Sequence, residues 1–221
     1  DNLIYFTNDF WKLLFTSILI GFLTAGISVV LAFPFSYLLV QIKSNAIKSS
    51  LFILALGPLF FFTIVKIMAF KGMLLNLFYD TSLDNYFVVI LGLVYLNIPY
   101  AILGIYLVLK DIPINLIYAS EDQGYNKFKT LIFIILPYCY QAILSTFALI
   151  FMLATTSIIV SNKLVNNKAK LIGNLIDEDP LIASQQGNAI LASTISLVIL
   201  IVVSFFYSII SLIKYKVGRY G

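Results

Sequence analysis

Few residues in this chain have the type and spacing to do chemistry. There is no histidine, and the single cysteine, Cys139, sits inside an apolar run. Disulfide frameworks, Cys/His zinc sites and histidine-based triads are therefore excluded, and Cys139 reads as a small packing residue. The densest carboxylate group, Asp177-Glu178-Asp179, reads as a solvated loop, and no base partners a serine. Nothing resembles the phosphate-cradling pattern GxxxxGK followed by Ser or Thr, so any nucleotide that drives work here binds to another chain. Lys66 is the one formal charge within an apolar span. Such a group is either a functional-site candidate or a side chain that snorkels to the interface, with Lys71 close by. Tyr95, Asn97 and Tyr100 beside Pro99, Thr155, Thr156 and Ser157, and Asn162 are the other polar groups at membrane depth. They can line a hydrated passage or bond between helices. Lys66, Tyr95, Asn97, Tyr100, Thr155 and Asn162 are the candidate path residues.

The elements that hold these residues are apolar. The chain is 61% hydrophobic and 11% charged over 221 residues, which makes lipid the solvent and the fold all-α. Crossing a hydrocarbon core of about 30 Å takes about 20 helical residues. Five spans are expected, at about 11–42, 49–70, 86–110, 128–161 and 184–213, in a single domain with a polar loop at 111–127.

Charge assigns the sides. The loops 43–50 and 110–129 and the tail 214–221 carry Lys43, Lys48, Lys110, Lys127, Lys129, Lys214, Lys216 and Arg219 against Asp111, Glu121 and Asp122, a balance of +5. The other side carries Lys12, Lys71, Lys163, Lys168 and Lys170 against seven acids, a balance of −2. The positive-inside rule places the first side in the cytoplasm. That leaves Asp1 outside with no signal peptide, so an upstream segment, one more transmembrane helix, is expected. The net charge of +4 is small and scattered and gives no reason to invoke nucleic acid.

Within the first span Ser17, Gly21, Ala25, Ser28 and Ala32 form a helical stripe of small residues. Such a stripe lets a neighbouring backbone approach, or it is ordinary small-residue usage in membrane helices. Pro34, Pro58, Pro99 and Pro137 bend or break four spans, since each removes a ladder hydrogen bond. In the polar loop, Asp111 can cap a helix whose first turn takes Pro113. Three turns follow to Gln123, Gly124 supplies a left-handed stop, and Asn126 can cap the next helix. A short helix held between two spans is suited to docking in a partner's groove.

The stretch YASEDQGYNKFKTLIFIILP, Tyr118 to Pro137, resembles the cytoplasmic EAA loop of bacterial ABC-importer permeases, E-A-A-x-x-x-G followed by an apolar run closing on I-x-L-P. Ala119 matches the first alanine, Gly124 the glycine and Ile134-Ile135-Leu136-Pro137 the ending. Tyr118 stands where the family has its glutamate, Ser120 where it has its second alanine, and Glu121 lies one turn later. The segments Leu171–Ile176, Ala189–Ile213 and Gly92–Ile102 resemble the spermidine/putrescine permease subunits in particular.

The resemblance implies a MetI-like permease bundle with a five-helix core and usually one further first helix. It implies a second permease subunit forming a heterodimeric pair, two ATP-binding subunits docked on the 111–127 loops, and an extracytoplasmic binding protein that delivers substrate. Tyr118, Ala119, Ser120, Glu121, Gly124 and Pro137 would couple to the ATPase. The chain would need no cofactor, because ATP binds the partner, and it would not itself be an enzyme. Polyamine import is the expected activity, with Tyr95, Tyr100 and Asn162 suited to a flexible polycation. Related permeases carry thiamine, ferric iron, sulfate or phosphonate. A secondary transporter would place ion-coordinating groups at the midplane, and a passive assembly subunit would have no use for the glycine elbow.

Overall fold

In a computed structural model of the chain, residues 8–77, 85–157 and 159–164, with 171, 204 and 208, are described. Every regular element among them is helical. Helix α1 (Asn8–Gln41) runs for 34 residues, about 51 Å at 1.5 Å per residue, so it projects beyond the hydrocarbon core or tilts within it. Its small stripe is its packed face: Ser17, Ala25 and Ser28 are fully buried and Ala32 nearly so, while Phe15, Phe22 and Val30 are exposed on the other side.

The stripe meets α4 (Tyr86–Leu109) and α8 (Tyr140–Thr155), and these three helices form the core. Ile20 clusters with Val88, Val89 and Leu93 at one end of α4, and at the other end the Ser36 hydroxyl donates to the Ile102 carbonyl at 3.3 Å. Helices α1 and α4 therefore run parallel. Gly104 packs against Thr146, and Gly92 against Val160 and Leu164, so the chain returns antiparallel through α8 and the short α9 (Ile159–Leu164). One crossing must separate α1 from α4, and the ends of both arrive at the same side as the 111–127 loop.

That crossing is not the single helix expected over 49–70. Helix α2 (Asn45–Leu56) tightens into a 3₁₀ turn (Gly57–Phe60), Phe61 is extended at φ −97°, and α3 (Thr63–Leu77) departs. The two limbs Asn45–Phe60 and Thr63–Asn76 meet at 104°. Pro58 sits in the first turn of the 3₁₀ segment, where its missing N–H costs nothing but the α-ladder ends. Helix α3 then lies across the end of the bundle, setting Ile67 and Leu74 on Val88, Val89 and Leu93. Lys71 Nζ fixes it by donating to the Lys163 carbonyl at 3.0 Å.

The span expected at 128–161 is also divided, into Phe128–Tyr138 and Tyr140–Thr155 at 69°, and Thr156 and Ser157 end α8 before α9. Among the described residues two helices, Trp11–Gln41 and Tyr86–Leu109, are each long and apolar enough to cross a membrane, and each bent pair can supply one crossing more. The expected span at 184–213 and the Leu171–Ile176 segment, Leu171, Ser204 and Ser208 excepted, lie outside the described residues.

Candidate functional site

The polar loop folds into a helix, an elbow and an arm. Helix α5 (Ile114–Asp122) starts with Pro113 in the N-cap position, extended at φ −61° and ψ 124°, and no side chain caps it. Asp111 is therefore not the cap that its residue type suggests. It falls two residues too early, in the turn where its N–H bonds the Val108 carbonyl. The far end is closed as the glycine requires. Gly124 adopts φ +78°, its N–H donates to the Glu121 carbonyl at 2.9 Å, and the Tyr125 N–H donates to the Ser120 carbonyl at 3.0 Å. These two bonds are the Schellman pair that satisfies the last carbonyls of a helix. A side chain at Gly124 would meet nothing within 4 Å, so backbone conformation alone demands glycine there. Asn126 caps the next helix as its type predicts, its Oδ1 accepting the Lys129 N–H at 2.9 Å.

Tyr118, Ala119, Glu121, Asp122 and Gln123 are exposed, whereas Ser120 is 1% exposed. Tyr118 and Glu121 stand one turn apart, so the carboxylate shares a helical face with the tyrosine. Ser120 turns inward. Its hydroxyl lies 2.7 Å from the Ile117 carbonyl and 2.9 Å from Thr130 Oγ1.

The arm comprises α6 (Lys127–Thr130), a π-helical turn (Leu131–Ile135) and α7 (Leu136–Tyr138). The π turn precedes Pro137, whose ring would press on the carbonyl four residues back in a regular helix; widening the ladder by one residue relieves it. Pro137 itself is exposed. Fully buried Cys139 is the corner between arm and α8, a packing role that agrees with its reading from sequence.

The six path candidates are dispersed. Thr155 is buried, donates to the Phe151 carbonyl at 2.7 Å and fills the space in front of Gly21. Asn97 is buried and spends its amide on the Leu93 carbonyl at 2.7 Å, within its own helix. Lys66 is 8% exposed on α3, Tyr100 is exposed and Asn162 half-buried. Tyr95 stacks on Phe70 with ring centroids 4.9 Å apart and lines a pocket of about 410 Å³ between α1, α2 and α4. The rest of that lining, Leu31, Phe35, Leu54, Pro58 and Pro99 among it, is apolar. Sequence reasoning missed Thr130 and the pairing of Gly21 with Thr155, because each depends on a partner across a bend or on another helix.

No family model matches the chain. It is 31% identical over 208 residues to a spermidine/putrescine transport system permease protein PotB homolog of Mycoplasma pneumoniae, covering 86% of this chain and 72% of that protein. It is 31% identical over 182 residues to the Mycoplasma genitalium PotB homolog, covering 77% of this chain and 62% of that protein, so it spans less than two thirds of that relative's length. The Escherichia coli (strain K12) PotB permease protein is 26% identical over 181 residues, 76% of this chain and 66% of that protein. Among solved structures, a chain of the MetNI methionine ABC transporter in inward-facing conformations superposes with a TM-score of 0.69, covering 94% of each chain at 17% identity. The all-α bundle is therefore that of an ABC-transporter permease.

Proposed function

The chain belongs to the family of spermidine/putrescine transport system permease proteins, and from that premise we propose that it is the membrane subunit of an ATP-driven importer of polyamines. The reading is carried by the α5 helix, which shows an exposed polar face at the end of the bundle where α1 and α4 terminate. In this reading Tyr118, Ala119 and Glu121 form the surface that an ATPase grips, with Ser120, Gly124 and Pro137 shaping the backbone behind it. The partners are a second permease subunit, two ATP-binding subunits and an extracytoplasmic binding protein. ATP stays on the ATPase, and this chain contributes no catalytic group or cofactor.

A cytoplasmic α5 in a bacterial cell is the orientation that the basic loops support under the positive-inside rule. Closure of the ATPases draws the docked α5 helices together and biases the bundle between inward- and outward-open states, which requires contacts that differ between them. The substrate is a flexible polycation, to which tyrosine faces such as Tyr95 and Tyr100 are suited.

The test is uptake of labelled spermidine by proteoliposomes holding the reconstituted complex. ATP-dependent accumulation that unlabelled putrescine competes away is expected. Accumulation of thiamine, sulfate, phosphonate or ferric iron in place of spermidine would overturn the substrate, and absence of any ATP-dependent uptake would overturn the importer.

A further inference from the structure

We infer that the Ser120 and Thr130 hydroxyls form a positioning clasp that makes α5 and the arm move as one body. This rests on the reading of α5 as the ATPase-docking element. Both hydroxyls are buried, Ser120 at 1% and Thr130 at 2% exposure, in a loop where Tyr118, Ala119, Glu121, Asp122, Gln123 and Lys129 are exposed. Polar groups withdrawn from water need partners, and here each supplies the other's, 2.9 Å apart across the elbow.

Proton accounting defines the pair. Ser120 Oγ is also 2.7 Å from the Ile117 carbonyl, and Thr130 Oγ1 is 3.2 Å from the Asn126 carbonyl. Two hydroxyl protons serve these three contacts. In one ordering Ser120 donates to Ile117 and accepts from Thr130; in the other Ser120 donates to Thr130, which donates to Asn126. The first uses the two shortest contacts, and both orderings keep the link between the helices.

The clasp answers a weakness of the elbow. Gly124 gives the chain its left-handed turn, but glycine is also the residue with the greatest backbone freedom. With glycine as the sole connection, a pull on α5 would be absorbed by its torsions. Ser120 instead binds across the elbow twice, through its carbonyl to the Tyr125 N–H and through its hydroxyl to Thr130. Tyr125 and Phe133 add a stacked contact on the outside at 6.4 Å between centroids. A displacement of α5 is then delivered to the arm and the corner at Cys139.

The test uses the whole complex in proteoliposomes and reads substrate accumulated per ATP hydrolysed. Thr130→Val keeps the shape and removes the hydroxyl; it should lower that ratio about fivefold, the equivalent of one hydrogen bond of about 1 kcal/mol, while the unfolding temperature falls by no more than about 2–4 °C. Thr130→Ser should restore it. Should Thr130→Val fold poorly, Ser120→Cys with Thr130→Cys replaces it, the disulfide giving the wild-type ratio and its reduction lowering it. A wild-type ratio in Thr130→Val, or a disulfide that lowers the ratio, overturns the clasp. Gly124→Trp in the same vesicles separates the two ideas. If it uncouples while Thr130→Val does not, the clasp alone is wrong; if neither uncouples, the docking role of α5 falls with it.

Discussion

A methyl group at Gly21 would occupy the space held by the Thr155 hydroxyl, with Phe151 closing the same gap at 3.3 Å. The α1–α8 contact is thus fixed by one hydrogen on α1 and one short side chain on α8. Gly21→Ala should destabilise the detergent-solubilised protein by about 1–3 kcal/mol, the usual cost of overpacking. Thr155→Ala in the Gly21→Ala background should recover part of that loss, since neighbours in contact are non-additive. Simply additive losses in thermal unfolding would contradict the contact.

Thr24 Oγ1 and Ser28 Oγ are buried without a hydrogen-bond partner among the described residues. An unpaired buried hydroxyl is a liability, so removing it releases a desolvation cost of about 1 kcal/mol or more. Thr24→Val and Ser28→Ala should therefore leave the unfolding temperature unchanged or raise it. A drop of several degrees in either variant would show that the hydroxyl has a partner.

At Gly124 the demand is conformational, because the space around it is open and the φ of +78° is what other residues resist. Asparagine tolerates that region better than alanine, and β-branched residues least of all. Stability and coupled uptake should fall in the order Gly, Asn, Ala, Val, with Ala costing about 1–2 kcal/mol. An alanine variant matching asparagine would argue against the left-handed elbow.

Lys66 is largely buried on α3, and no carboxylate among the described residues pairs with it. A snorkelling lysine packs its stem and turns its head to the interface, whereas a path lysine presents its ammonium to the substrate. Lys66→Met should keep the fold intact and hold spermidine uptake within about twofold, since no ion pair is lost. Loss of uptake with an intact fold would instead place the ammonium in the path.

What could be read from the sequence followed from local rules. The α1 and α4 spans follow from apolar length, the stop at Gly124 from a glycine after three polar residues, and the Asn126 cap from its residue type. Pro58 marked that span for a bend, but the 104° angle was not legible, because Phe60, Phe61 and Phe62 keep the run apolar through the bend and hydropathy carries no direction. The dispersal of Thr155 and Asn97 from a common path was hidden for a related reason. Each satisfies itself on a carbonyl four residues back in its own helix, and residue type alone cannot separate that from lining water. Thr130 opens an apolar stretch and signals nothing by itself; its role exists only once the elbow folds back to Ser120.

The corner at Cys139 also sets a gear ratio. The arm from Phe128 to Tyr138 is about 16 Å long at helical rise and meets α8 at 69°. A displacement of about 3 Å at its far end is then a rotation of about 10° at the corner, on the scale that packed helices accommodate by small slides and side-chain shifts. In the proposed importer, travel of α5 is thereby stepped down into a slight tilt of α8, on the side of the bundle where Thr155 already touches Gly21.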